Sequence, residues 1–565
     1  MQRHISMARI DSKILFITTS PRTPFRMIPE IELLDTHFTG KKWNIETQKA
    51  FMQRLREESF FYGEGANDPA FSARDRINRA PKALGFVTLS PVIRLTAAGE
   101  ELIQTKRKEE IFLRQLLKFQ LPSPYHKSTD KAAKFWVKPY LEIFRLIRHF
   151  GTLKFDELML FGLQLTNYRL FNIIVSKIEQ FRIAKAQTEQ SYKSFRNEYL
   201  AAELEAIYRE EIVSGATQTR ESNDVSLAKF LQTKASNVRD YADALFRYLR
   251  ATGLVNISHI GKSISIAFEK VQEVDYFLKH TDREPCFVDE EKLYAEYLAN
   301  PEIPQLFTDN KDLLSGKIQS EFPYIKVDST FSITKLKDIL YDETGKRKES
   351  IINEQITKIK DCRLYDDINI TFSQIADKSL YDAPLMLEWN TWRAITMLDG
   401  GQVTANLKFD DYGNPMSTAQ GNMADIVCDY GDFGLTVEVT MQMGQRQYEM
   451  EGEPVTRHLA KLKKETGKPS YCLFIAPHIN EACIAHFYAL HKMNISYYGG
   501  QSTIVPLPLH VFQKMVEDSY KAAYTPQSQQ VKQFFERSNE IAATSVDEKA
   551  WYREITEQAL NWLKY

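Results

Sequence analysis

Two short runs rich in β-forming residues, ADIVCDY (424–430) and FGLTVEVT (433–440), flank Gly431-Asp432, a pair that favours the two-residue turn of a β-hairpin. A turn centred there sets Asp425 directly opposite Glu438. Opposed residues of an antiparallel pair share a face, with Cβ atoms about 5 Å apart. Two carboxylates that close repel strongly unless a cation lies between them. The pair therefore reads as a metal site, against the plainer alternative of solvent-facing carboxylates on an edge hairpin. Oxygen ligands with at most one histidine suit Mg²⁺, or Mn²⁺ in its place, better than zinc. Such an ion could activate a water and stabilise the transition state of phosphodiester hydrolysis.

Neighbouring residues extend the set. Glu451 is followed by Gly452-Glu453-Pro454, and Pro454 suits the first position of a helix on which His458 and Lys461, three apart, share a face. Glu451 and His458 could add a ligand, an orienting group or a proton donor, although each alone is more often a cap or a surface residue. Upstream, the amphipathic PLMLEWNTWRAITML places Glu388 between Leu387 and Trp389, where a glutamate can turn toward the other carboxylates. Rival chemistries fare poorly. The string nearest to a phosphate-binding loop, Gly261-Lys262-Ser263, has Asn256 where the first glycine belongs, and neither G-x-S-x-G nor H-E-x-x-H occurs. No nucleotide cofactor is expected.

The elements that hold these residues belong to a long chain. At 565 residues, 43% hydrophobic and 26% charged, it carries material for several packed cores and no disorder bias. Its formal charge of -1 conceals a net +9 over 71–150 and -6 over 282–312, an asymmetry that suggests a nucleic-acid face as readily as a solvated helical surface. The 5 cysteines show no C-x-x-C spacing, which points to a reducing cytoplasmic setting without disulfides or zinc knuckles. The first thirty residues lack an apolar signal core, and no apolar run is long enough for a membrane span.

Three stretches, 72–108, 140–185 and 240–278, pass from helical periodicity through short β-type runs. In the first, Thr96 begins a helix; in the last, two β-rich runs flank His259-Ile260-Gly261-Lys262. These read as winged-helix units, one strongly basic, of a shape that suits the major groove. An acidic connector with one short helix follows at 282–325. Beyond it, helical patterning at 332–360 and 383–398 gives way to strands at 424–430, 434–440 and 470–476, with a helix between the last two, the signature of an α/β domain. The expected partition is a recognition module at 1–135, further winged-helix-like modules at 136–281, a linker at 282–325 and a catalytic domain at 326–565.

On VEVT with Glu438, GQRQYEMEGEPVTRHL, ADIVCDY with Asp425 and the N-terminal SPRTPFRMIPEIELL, the chain resembles the AlwI family of type IIS restriction endonucleases and their strand-nicking relatives. That resemblance implies a FokI-like layout: mainly α N-terminal winged-helix modules that recognise a short asymmetric site in double-stranded DNA, and a C-terminal α/β PD-(D/E)xK nuclease domain that cuts to one side using Mg²⁺. By the same resemblance, Asp425, Glu438 and the backbone carbonyl of Val439 hold the metal, Glu388 is the helix-borne acid, and Glu451 and His458 stand beside them. The usual motif lysine is Thr440 here, so His458, with Lys461 or a second metal, would take over its role. Arg22, Arg26, Arg74, Arg76, Arg79 and Arg94 are the candidates for DNA contact, most of them to phosphate. Cutting both strands would require a second nuclease domain, from a transient homodimer, or sequential turnover. The alternatives are a site-specific nicking enzyme, a non-catalytic winged-helix regulator, and a repair nuclease without sequence preference.

Overall fold

A computed structural model describes residues 13–58, 60–61, 68–126, 135–219, 221–398, 400–419 and 421–564. The chain divides into two compact units, one running to Tyr341 and the other from Asp342 onward, with the short segment Glu58–Gly63 belonging to the second. Among the described residues, no helix is long and apolar enough to cross a membrane.

The first unit repeats one order of elements. Helices Met27–Phe38, Ile45–Glu57 and Pro69–Arg79 precede a hairpin of β1 (Val87–Thr88) and β2 (Arg94–Leu95). Residues 40–41 extend the hairpin as an edge, through Gly40 N–H to Ile93 O at 2.9 Å and Ile93 N–H to Lys41 O at 2.8 Å. Asp68 caps the third helix by accepting from Phe71 N–H, with Pro69 at the position where a missing N–H costs nothing. Thr96 caps the helix Ala97–Gln104 as expected, accepting from Gly99 N–H at 3.1 Å. Gly99 admits no side chain, because a Cβ there would lie 2.0 Å from the Phe86 carbonyl oxygen.

The second run begins with helix Pro139–Phe150, β3 (Thr152–Lys154) and helix Phe155–Leu160. After further helices it closes with Leu227–Arg250, β4 (Val255–Ser258) and β5 (Ser263–Ile266). The stretches at 140–185 and 240–278, which the sequence presents as separate units, are therefore halves of one: β3 comes from the first, β4 and β5 from the second, and they form a single sheet in the order β3-β5-β4. The pattern could not show this, because more than a hundred residues separate β3 from the strand it pairs with in space. The acidic connector holds two helices, Glu291–Ala299 and Lys311–Glu321, where one was expected. Basic residues of helix Lys108–Lys118 clasp it: Lys118 Nζ donates to the carbonyls of Leu298 (2.9 Å) and Asn300 (2.6 Å), and Arg114 to Asp309 (2.8 Å). Carbonyls at a helix C-terminus are natural partners for a cation.

The second unit is built on a five-stranded mixed sheet. Helices Ile333–Lys360, Tyr365–Ala376 and Ala383–Met397 lead to β6 (Gln402–Ala405) and a small hairpin of β7 (Lys408–Phe409) and β8 (Pro415–Ser417). Then come β9 (Ile426–Asp429), β10 (Gly434–Val439), helix Gln445–Thr466, β11 (Ser470–Ala476), helix Glu481–Lys492 and β12 (Ile504–Pro508). The spatial order is β12-β11-β10-β9-β6, with β6, β9 and β10 antiparallel and β10, β11 and β12 parallel. Every residue of β11 is buried, as befits a central strand covered on both faces. Pro506 lies in β12, an edge strand, where a missing ladder donor is tolerated.

Candidate active site

The β9–β10 ladder pairs Gly434 with Asp429, Leu435 with Cys428, Thr436 with Val427 and Val437 with Ile426. Tyr430 N–H reaches Phe433 O at 3.1 Å, leaving Gly431 and Asp432 as the turn, with Gly431 at φ +89°. Only a glycine takes such an angle at little cost. This is the register that the turn signal predicts, and its next step sets Asp425 opposite Glu438. Asp425 itself lies one residue outside β9. Its position is fixed by contacts beyond the ladder: Oδ2 accepts from Val439 N–H at 2.8 Å, and its carbonyl accepts from Asn406 N–H at 3.0 Å.

Four carboxylates gather here. Burial pushes Glu388, Asp425, Glu438 and Glu451 above the ordinary carboxylate range; the charge of Asp425 adds to the effect at Glu388, that of Glu438 at Asp425, and that of Glu451 at Glu438. Glu388, on helix Ala383–Met397, is buried and does turn toward the pair, with Oε1 accepting from Ala419 N–H at 2.8 Å. Glu438 is buried on β10, and its Oε1 lies 2.8 Å from His458 Nδ1. Burial lowers His458 to about 4, so its imidazole is neutral at neutral pH. Its buried Nε2 meets no protein partner among the described residues. Thr440, at the motif-lysine position, is buried and hydrogen-bonds the Glu451 carboxyl. No group of three or more His, Cys, Asp or Glu side chains among the described residues is already gathered as a metal cage; the arrangement offers a facing pair of carboxylates with others around it.

One expected element differs. Helix Gln445–Thr466 starts after Gly444, well before Pro454, which lies inside it. Glu451 is thus a helical residue rather than one preceding the helix. It stands seven positions before His458, close to two full turns, so both project from the same face. Lys461 sits on the same helix but is exposed at the rim, with Nζ on the Asn422 carbonyl at 3.3 Å.

Two contributors escaped the sequence reading. Arg457 donates from Nη1 to Asn422 Oδ1, and its charge, after a backbone hydrogen bond from Asp425, holds Glu438 down against burial and repulsion. Adjacent to His458, it carried a signal in its position alone. Asn422, three residues before Asp425, gave none, because its role depends on a left-handed backbone at φ +63°.

The six arginines proposed for DNA contact lie in the first unit. Arg22 pairs with Asp240 (2.9 Å), Arg76 with the buried Glu30, and Arg79 with Asp75 (2.6 Å). Arg74 donates to Gln48 at 3.0 Å and stands over the Phe71 ring, whereas Arg26 and Arg94 are exposed.

The model of the AlwI restriction endonuclease family matches residues 82–515. A carboxylate cluster on a mixed sheet in one unit and a basic helical region in the other are what a nuclease of the restriction type combines. This chain belongs to the AlwI restriction endonuclease family. No curated protein matches it significantly. Among solved structures, the small subunit (R.BspD6I2) of the heterodimeric restriction endonuclease R.BspD6I is 24% identical, covering 35% of this chain and 96% of its own, with a TM-score of 0.28. The BpuJ1 endonuclease binding domain, solved with modified DNA, is 14% identical over 49% of this chain and 91% of that one, with a TM-score of 0.32. FokI bound to DNA is 11% identical over 84% and 82%, with a TM-score of 0.20.

Proposed function

We propose that this restriction-family nuclease is a type IIS enzyme that binds a short asymmetric site in double-stranded DNA through the first unit and hydrolyses phosphodiester bonds to one side of it with Mg²⁺. The observation that carries the reading is the hairpin register, which brings the half-buried Asp425 and the buried Glu438 together as a mutually repelling pair. The two helix–strand–helix–hairpin runs of the first unit support winged-helix recognition modules, and the mixed sheet of the second supports a PD-(D/E)xK nuclease core.

The donor set fits the metal. Mg²⁺ is usually held by one or two carboxylates, the remaining positions going to water and substrate phosphate. Asp425 and Glu438 would hold it with the Val439 carbonyl. Bound there, the ion would supply positive charge against the charge that develops on the phosphate and would lower the pKa of a bound water. The chain's own groups do the rest. Val439 N–H keeps Asp425 oriented. With Glu438 ionised against the cation, a neutral His458 would donate to it from Nδ1 and present a lone pair at Nε2 for a proton from the attacking water. Glu388 and Glu451 remain as outer carboxylates that complete the field, or a second ion site.

Sequencing the ends of a digested plasmid tests the reading. Discrete cuts at a fixed offset from one motif are expected, and the same ends show whether one strand or both are cut. Scattered cuts would refute it. In parallel, Asp425→Ala should still retard a cognate duplex in a gel while no longer cutting it with Mg²⁺.

A further inference from the structure

Asp425 is the one member of the facing pair that its strand does not fix, because it stands one residue outside the β9 ladder. Something else must hold the loop that leads to it. Four contacts do so. Glu388 Oε1 accepts from Ala419 N–H (2.8 Å), Asn406 Nδ2 donates to the Ala424 carbonyl (2.7 Å), Lys461 Nζ reaches the Asn422 carbonyl (3.3 Å), and Arg457 Nη1 donates to Asn422 Oδ1.

Arg457 and Lys461 are four apart on helix Gln445–Thr466, so they reach the same residue from adjacent turns, with His458 between them. Asn422 is suited to this hub, since asparagine tolerates the left-handed conformation found there (φ +63°) better than most residues and still offers a side-chain acceptor. Arg457 is steadied in turn by Glu453, whose carboxylate lies 3.1 Å from its Nε. The approach from the other side is equally close: a Cβ on Gly421 would lie 2.5 Å from the Phe60 carbonyl oxygen.

We infer that Arg457 and Asn422 form a latch, carried by the His458 helix, that positions Asp425 opposite Glu438 for metal binding. Both are positioning residues, and the inference rests on the metal reading given above. The same helix thus supplies the proton acceptor and fixes a ligand, so that a shift of the helix would move both.

The test is titration calorimetry of Mn²⁺ into the full-length chain without DNA, alongside thermal denaturation. Asn422→Gly keeps the left-handed backbone and removes the side-chain acceptor. Arg457→Gln removes the fork and the charge, and Arg457→Lys is the fallback if the glutamine variant is destabilised. Each single variant should bind Mn²⁺ about tenfold more weakly, as removal of groups that orient metal ligands generally does, with the thermal midpoint little changed. Because the two residues serve one contact, the double variant should lose no more than the worse single variant. Parental affinity in the single variants, or additive losses in the double, would overturn the latch. Asp425→Ala belongs in the same series: loss of the binding heat supports the metal reading, whereas parental Mn²⁺ binding by that variant would overturn the reading on which the latch depends.

Discussion

At the residue scale, desolvation governs the site. Four carboxylates stand above their ordinary range and one histidine well below its own, all with burial as the leading cause. The signs of these shifts make a stability prediction. A carboxylate raised in the folded state binds more protons folded than unfolded, so it destabilises the fold as pH rises above the unfolded value of roughly 4. His458 acts oppositely, but only below its unfolded value of about 6.5. Above about pH 6.5 His458 no longer contributes, whereas the raised carboxylates still oppose folding as far as their folded values reach. In chelator, the thermal midpoint of the second unit should fall as the pH is raised from there. Saturating Mg²⁺ should raise it and flatten the slope, since a ligand that binds only the folded state stabilises it. A midpoint indifferent to both pH and Mg²⁺ would count against the cluster as a cation site. His458→Ala should slow cleavage by roughly 10² to 10⁴, the usual contribution of a general base, with DNA affinity held; an unchanged single-turnover rate would place the base elsewhere.

At the element scale, the hairpin was legible and the helix start was not. Gly431-Asp432 fixed the register because a two-residue turn leaves no slack, and strand alternation carried that register out to Asp425 and Glu438. Pro454 misled because proline commonly opens a helix, whereas here packing of Val455, Leu459 and Leu462 against the sheet core outweighs one lost hydrogen bond. The edge strands β6 and β12 left little trace, being four and five residues long and, in β12, carrying prolines. Pro454→Ala should therefore restore a donor to the Met450 carbonyl and stabilise the helix by about 1–2 kcal/mol, once the entropy that proline removes from the unfolded chain is subtracted. Thermal denaturation reads this directly, and a lower midpoint would mean that the ring itself packs usefully.

At the scale of the whole molecule, the near-zero charge is a sum of unlike parts. The basic stretch at 71–150 lies in the first unit and the carboxylate cluster in the second. Affinity for non-specific DNA should fall linearly on a log–log plot against salt, with a slope near -0.9 per phosphate neutralised, roughly. Several of the proposed arginines are already engaged by carboxylates, so Arg74 and Arg94 are the better candidates for phosphate contact. Arg74→Ala and Arg94→Ala should each reduce the slope by about one, while Arg76→Ala should destabilise the fold by stranding the buried Glu30. A slope that neither the Arg74 nor the Arg94 variant alters would assign the DNA face to other residues.

The hairpin register also constrains how such a sequence can change over descent. Between Asp425 and Glu438 nearly every residue is spoken for: those in β9 and β10 by the ladder, and only Gly431 and Asp432 by the turn. Losing one residue from either strand would carry a carboxylate to the opposite face of the sheet, whereas a longer turn would leave the pairing intact. Length differences among related chains should therefore collect at the turn, and a lineage with an odd deletion inside β9 or β10 should have lost its cutting activity even where every carboxylate survives.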